Sequence, residues 1–328
     1  MKILRRRFVQ AASGLLLGAG VVESAYAQDA TYHYDALGRL ARVTYAGGRF
    51  VVYGYDAAGN RFEVVRSDGT TYSATLQLTG TGPVNLRAVA NAAGYNGAQH
   101  ATITFQVGAA ITLMGDSNGG ICVDTGVWSS YALTIALTLQ VSGKVYGGGG
   151  SGGLGGGSSD GLVGGNGGDA IYCRENINVT VNAGGQIKAG GGGGGGGGSW
   201  IRTVNGEPIH YNGGGGGGGF PNGAGGPEGP GDVDVSNPGA FGTTSSGGAG
   251  GTGGASGPGG SGRINGAGGA GGAAAAVGLL GGGPTGSGGT GTWTNTGSGQ
   301  GGQPGYAIRK NGKTVNVTNN GTISGSTG

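Results

Sequence analysis

Apolar and polar positions alternate in short stretches over the first 146 residues and again at the C-terminal end. Val43-Thr44-Tyr45 and Phe50-Val51-Val52-Tyr53 flank Gly47-Gly48 and predict strands around a tight turn. Residues 75–78, 101–107, 111–113 and 133–141 carry the period-two, β-branched pattern of strands. Residues 85–93 predict one short helix ahead of the turn at Gly94-Tyr95-Asn96-Gly97. A compact unit occurs three times: two alternating apolar residues, a turn at glycine, then one more apolar residue. The copies are 137–145, 179–187 and 315–323, aligned without gaps through Gly143, Gly185 and Gly321. They predict strand-turn layers stacked into a β-core. Such units also build β-solenoids, although the long excursion from 188 to 304 argues against a regular one.

Between residues 147 and 304 the alternation stops and glycine takes over. Residues 190–198 are nine consecutive glycines and 213–219 are seven, in a chain with 91 glycines among 328 residues. Such a stretch is either a floppy linker or a set of extended threefold helices, the glycine counterpart of polyproline II. That helix makes no internal hydrogen bonds, so its peptide groups must be satisfied by neighbours or by water. Segments such as 247–254 and 268–273 keep period three, which places their larger side chains on one edge of a threefold helix. Larger residues interrupt the runs where turns between rods would fall, and serine does not dominate the spacers. Collagen fits poorly, with nine prolines and no long Gly-X-Y register. The expected fold is mostly β: a small hairpin unit, a β-rich core of stacked strand-turn units, and a domain of packed polyglycine II helices. The alternative is a β-solenoid with disordered glycine loops.

Residues 1–27 read as an export signal. Lys2, Arg5, Arg6 and Arg7 precede an apolar stretch from about residue 8 to 22, and Ala25-Tyr26-Ala27 supplies a small-x-small cleavage site. Arg5, Arg6 and Phe8 resemble the twin-arginine signal, with the ordinary secretory route as the alternative. The stretch is too short and interrupted for a membrane span, and no later segment could cross one. The expected place is the periplasm, cell surface or medium. The chain has 18 basic and 15 acidic residues. The leader holds four of the bases and one acid, so the remainder is neutral. It has no basic patch for nucleic acid.

Residues 28–66 form a distinct unit. Tyr34-Asp35-Ala36-Leu37-Gly38-Arg39 is followed by Tyr55-Asp56-Ala57-Ala58-Gly59-Asn60. These motifs are similar to the YD repeat of RHS and teneurin-type proteins, in which the Asp-x-x-Gly turn joins strands of a coiled sheet. The likeness implies that Asp35 and Asp56 are turn residues and that the unit is a cap or docking segment. Further on, Val84-Asn85-Leu86-Arg87-Ala88, Ala101-Thr102-Ile103-Thr104-Phe105 and the copy at 179–187 running into the glycines resemble the glycine-rich tip adhesins of phage long tail fibres. That likeness covers about residues 80–328 and implies a polyglycine II domain whose far loops meet a host receptor. Two features depart from it: the export signal, and YD sequence where the fibre-attachment domain would be. A bacterial, secreted, prophage-derived relative accounts for both. The expected divisions are 1–27, 28–66, 67–146, 147–304 and 305–328.

Little in the chain could carry chemistry. His33, His100 and His210 are isolated from one another and lack metal-ligand spacing. Asp124-Thr125-Gly126 has the wrong flanks for an aspartic protease and no second copy. Glycine-rich phosphate-loop patterns arise here from composition alone. No cofactor is expected, and no enzyme. Cys122 and Cys173 each lie just upstream of a repeat copy, so stacking could bring them into a disulfide; two buried thiols are the other reading. The candidate contact residues are the interruptions of the glycine runs. Trp200, Ile201, Arg202, His210 and Tyr211 join the two longest runs, Phe220 and Phe241 bracket a long turn, and Trp293 lies in a later spacer. Exposed aromatic and arginine residues on loops are the usual anchors of binding sites, although the same rings could cap the ends of a glycine lattice. The leading expectation is an adhesin presenting loops at about 199–212 and 220–246 to a cell-surface glycan or outer-membrane protein. The alternative is a self-associating surface or matrix protein.

Overall fold

The computed structural model describes residues 30–128, 133–233, 236–255, 262–287 and 291–328. The signal positions Arg5, Arg6, Phe8, Ala25 and Ala27 lie outside them. Strands β1 (Thr31–Tyr34), β2 (Leu40–Thr44), β3 (Phe50–Tyr55) and β4 (Arg61–Ser67) form one antiparallel sheet in that order. The Asp35 carboxylate accepts from the backbone N–H of Leu37 and Arg39, each at 2.9 Å, and from Arg39 Nε at 2.7 Å. Asp56 accepts from the backbone and side-chain N–H groups of Asn60. Gly38 and Gly59 adopt φ of 75° and 89°, the left-handed region that glycine reaches without penalty. Both aspartates therefore shape turns. Phe50 and Val52 are buried against Leu133, with Ile135 packed beside them, and so tie this sheet to the next unit.

That unit is a parallel β-solenoid. Its first coils run through β5 (Thr71–Leu78), β6 (Val84–Asn85), α1 (Leu86–Ala92), β7 (His100–Val107), β8 (Thr112–Met114) and β9 (Val123–Asp124). The Asn85 side chain caps α1 by accepting from the Ala88 N–H at 3.0 Å. The next coils use β10 (Ile135–Val141), β11 (Lys144–Tyr146), β12 (Ile171–Tyr172), β13 (Ile177–Val181) and β14 (Gln186–Lys188). Three further strands, β15 (Trp200–Val204), β16 (Glu207–His210) and β17 (Thr292–Asn295), belong to the glycine region. The solenoid then resumes with β18 (Tyr306–Arg309), β19 (Val315–Asn319), β20 (Thr322–Ser324) and β21 (Ser326–Thr327). Its three faces are β5-β7-β10-β13-β19, β8-β11-β14-β20 and β6-β9-β12-β18-β21, with every pairing parallel. Alternate residues such as Ile103, Phe105, Leu137, Leu139, Val179 and Val181 point inward and are buried.

The three sequence copies do stack, and the glycine excursions leave the register intact. One detail differs from the gapless alignment. On the second face Val145, Ile187 and Ile323 pair as expected. On the first face Leu137 pairs with Ile177, two residues before Val179. The second copy has two extra residues in its turn. A slip of two keeps every side chain on its own side of the sheet, which is why the pattern matched without a gap.

The glycine region leaves the solenoid between its second and third faces, once after β11 and once after β14. It runs as rods at 147–157, 161–168, 189–198, 212–219, 223–231, 237–243, 247–254, 265–273, 277–284 and 296–305, alternately away from and toward the solenoid. Every third residue addresses the same neighbour. Gly190, Gly193 and Gly196 donate to Gly168, Gly165 and Leu162; Gly191, Gly194 and Gly197 donate to Phe220, Gly217 and Gly214; Gly192, Gly195 and Gly198 donate to Ala276, Leu279 and Gly282. The carbonyls of the same nine residues accept from three other rods: 147–157, 265–273 and 296–305. All nine donors and nine acceptors of the run are thus satisfied by six surrounding rods. The seven glycines at 213–219 are satisfied in the same way. The two unbroken runs are the two interior rods. Outer rods have a solvent edge and carry a side chain there, as at Leu162, Leu279 and Leu280, which are 54%, 60% and 54% exposed.

Candidate functional site

Where the rods end away from the solenoid, parts of five connections come together: residues 158–160, 199–211, 231–233 with 236, 255 with 262–264, and 285–287 with 291–295. Their floor is hydrogen-bonded. Buried Ser199 donates its Oγ to the Gly157 carbonyl at 2.8 Å, and its N–H reaches Thr296 Oγ1 at 2.8 Å. Above the floor, β15 forms an antiparallel sheet between β16 and β17. Pairing of Trp200 with Asn295 and of Arg202 with Trp293 puts Trp200, Arg202 and Trp293 on one face of that sheet.

On that face Trp293 stacks on Tyr211, with centroids 5.8 Å apart and planes at 20°, and meets Trp200 edge-on at 6.3 Å. The Arg263 guanidinium lies 4.3 Å from the Trp200 ring centre and 4.6 Å from that of Trp293. Arg202 lies 5.6 Å from Trp293. These are cation–π distances. Trp200 is fixed by three further bonds: its N–H donates to Asn265 Oδ1 at 3.0 Å, its carbonyl accepts from Tyr211, and its Nε1 donates to Thr285 O at 3.2 Å. The His210 backbone N–H donates to the Asp232 carboxylate at 2.8 Å. Trp293 Nε1 on this face, and His210 Nδ1 on the opposite one, are buried and have no hydrogen-bond partner among the described residues. The half-buried platform therefore draws on three different connections and holds polar capacity that the fold does not use.

The structure separates the remaining expected contact residues from this platform. Ile201 points to the opposite face of the small sheet, with His210 and Thr294. Phe220 lies at the solenoid end of the rods, 1% exposed, packed 5.1 Å from the Tyr146 ring with Lys188 Nζ near both. It plugs the junction of lattice and solenoid. Phe241 is 70% exposed but lies near that same end, because its neighbour Gly242 bonds to Gly223. The segment 220–246 is thus not one loop. It is two rods, 223–231 and 237–243, which run in opposite directions. Arg263 was missed by sequence reasoning; its signal was a lone arginine between two period-three glycine segments.

The cysteines do not pair. Both are buried free thiols. The register Val123–Ile171 and Asp124–Tyr172 sets Cys122 level with residue 170 and Cys173 level with residue 125. Three residues along a strand is about 10 Å, beyond disulfide reach. Burial pushes each thiol up to about 12. Among the described residues no cluster of His, Cys, Asp or Glu is arranged to hold a metal ion. No helix among them is long and apolar enough to cross a membrane.

The chain is thus a β-rich protein in which a lattice of glycine rods rises from a parallel solenoid and gathers aromatic residues at its far end. The chain belongs to the family of the phage tail fibre adhesin Gp38, whose pattern it matches over residues 71–328. It is a receptor-binding protein of the tail-fibre type. Membership suggests a non-enzymatic role and implies an extracellular or surface place. Residues 34–71 match the RHS repeat. Among solved structures the chain is similar to the gp37–gp38 adhesin tip complex of the bacteriophage S16 long tail fibre. The identity is 23%, with 78% of this chain and 82% of that chain covered and a TM-score of 0.42. No curated protein matches.

Proposed function

We propose that the apex is the receptor-contact face of an exported, non-enzymatic adhesin, and that its receptor is a glycan or outer-membrane protein on a cell surface. The observation that carries this reading is the convergence of Trp200, Trp293, Arg202 and Arg263 from separate connections onto the end of a rigid lattice. Binding sites favour tryptophan and arginine where surroundings hold them in place. A scaffold whose interior peptide groups are all bonded keeps the ordering cost of binding low. The YD sheet, which packs on the solenoid through Phe50, Val52 and Leu133, serves as the mount.

The test is binding to intact cells by flow cytometry. Arg263→Ala and Arg202→Ala should each lower binding at least about tenfold, the loss expected for truncating an anchor residue, while the protein still folds, as circular dichroism would report. Undiminished binding by a variant in which short glycine turns replace both 200–210 and 255–264 would remove the apex from the mechanism.

A further inference from the structure

The first face of the solenoid carries an ordered polar array that the apex reading leaves unused. Its five strands, β5, β7, β10, β13 and β19, contain no Asp, Glu, Lys or Arg. Pairing brings their outward residues into straight columns. One column is Thr75, Thr104, Thr138, Asn178 and Asn316. The next is Gln77, Gln106, Gln140, Thr180 and Thr318. All ten are exposed or half-buried. Neighbouring coils are about 4.8 Å apart and neighbouring columns about 6.6 Å, so the array extends about 19 Å along the solenoid.

The amides are already ordered. Gln77 Nε2 donates to Gln106 Oε1, Gln106 Nε2 to Gln140 Oε1 at 2.8 Å, and Asn316 Nδ2 to Asn178 Oδ1 at 2.9 Å. Within the ladder Gln106 spends one N–H and one lone pair. An amide has two of each, so a donor and an acceptor remain directed away from the sheet. Threonine adds a hydroxyl and a methyl at each step.

We propose that this face is a second binding surface, for an extended neutral polysaccharide lying along the solenoid axis. Three properties select that occupant. Two columns made only of threonine, asparagine and glutamine match a ligand without charge. Paired donors and acceptors suit vicinal hydroxyls, which are both. An extended β-linked chain also advances about one sugar ring per coil spacing of about 4.8 Å, so each ring faces one rung, and alternate rings, which share one orientation, face alternate rungs. No aromatic ring lies in the two columns, so binding is by hydrogen bonds and is weak per ring. Resting on the apex reading, its use is to hold the protein near a glycan-coated surface while the apex searches, since a second weak contact raises overall avidity.

The side-chain amide resonances of the full-length protein, titrated with cellohexaose as the neutral extended probe and hexagalacturonate as the charged comparison, test this. Cellohexaose should move the signals of Gln106, Gln140 and Asn178 with half-saturation of order 1–10 mM, and hexagalacturonate should move them less. The double substitution Thr104→Arg with Thr138→Arg should weaken binding at least about tenfold, and Thr138→Ser should retain it. Arg263→Ala should leave these shifts unchanged while cell binding falls, which separates this surface from the apex. No movement of the ladder amides at about 20 mM, or equal movement in the double variant, would show that the array only braces the solenoid.

Discussion

One methyl group distinguishes an interior rod from an outer one. A Cβ built on Gly194 would lie 2.0 Å from the Gly269 carbonyl oxygen, and one on Gly193 would lie 1.9 Å from that of Ser151. Both obstacles are backbone held by its own hydrogen bonds, so neither can yield without breaking a row of the lattice. Gly194→Ala should therefore cost more than about 3 kcal/mol, the upper range of overpacking, or prevent soluble folding. Leu279→Ala on an outer edge should stay within about 0.5 kcal/mol. Thermal melts of the two variants check this. The thiols give a second residue-scale prediction. Their folded values, about 12, lie above the ordinary 9.0, so the folded state holds these protons more tightly. Their contribution is complete below pH 9 and is lost as pH rises from 9 toward 12. Ellman's reagent at pH 8 should label neither cysteine in the native protein and both in denaturant.

At the scale of elements, sequence revealed what depends on local pattern and concealed what depends on the partner. Residues 190–198 and 213–219 were legible as special because an interior rod has no edge on which to carry a side chain. The alternation in 137–141 and 101–107 likewise reported the buried side of the solenoid. The slip of two residues at 177–181 was invisible, because period-two patterning cannot register a shift that preserves sides. The segment 220–246 was misread for a different reason. Pro227, Pro230 and Pro238 looked like loop residues, yet proline's fixed φ suits a threefold extended helix, and its missing N–H costs nothing on an outer rod. The platform was half legible: Trp200, Arg202, Tyr211 and Trp293 stood out as large residues among glycines, but only the rod order brings residue 263 beside residue 200. Because cation–π contact at a half-exposed ring is worth about 0.5–1 kcal/mol and Arg263 lies over two rings, Arg263→Ala should lower stability by about 1–2 kcal/mol. Trp293→Ala removes the ring between Tyr211 and Trp200 and should lower stability by about 1–3 kcal/mol. Chemical denaturation of both variants separates packing from recognition at this site.

The whole molecule joins two kinds of order in one chain. The solenoid has a conventional apolar interior, from Phe105 and Leu139 to Ile187 and Ile308. The lattice has almost none, and its cohesion lies in peptide hydrogen bonds that continue the strand ladder without interruption: Gly147 donates to Lys188 and Gly115 to Tyr146 where β11 and β14 become rods. Heat-capacity change on unfolding follows apolar exposure. A chain in which about a quarter of the residues lie in glycine rods should thus unfold with a heat-capacity change below the ~12–15 cal/mol/K per residue of ordinary domains. Calorimetry of the full-length protein measures this directly. Continuity of the ladder also predicts cooperativity. If rods and coils share one unfolding transition, amides of 190–198 should exchange as slowly as those of β10 and β13, although no apolar side chain lines the central rod itself. Exchange several orders of magnitude faster in the glycines, with the strands still protected, would mean that the lattice opens on its own. The apex loops would then ride on a support that melts beneath them, and the low ordering cost assigned to receptor binding would be lost.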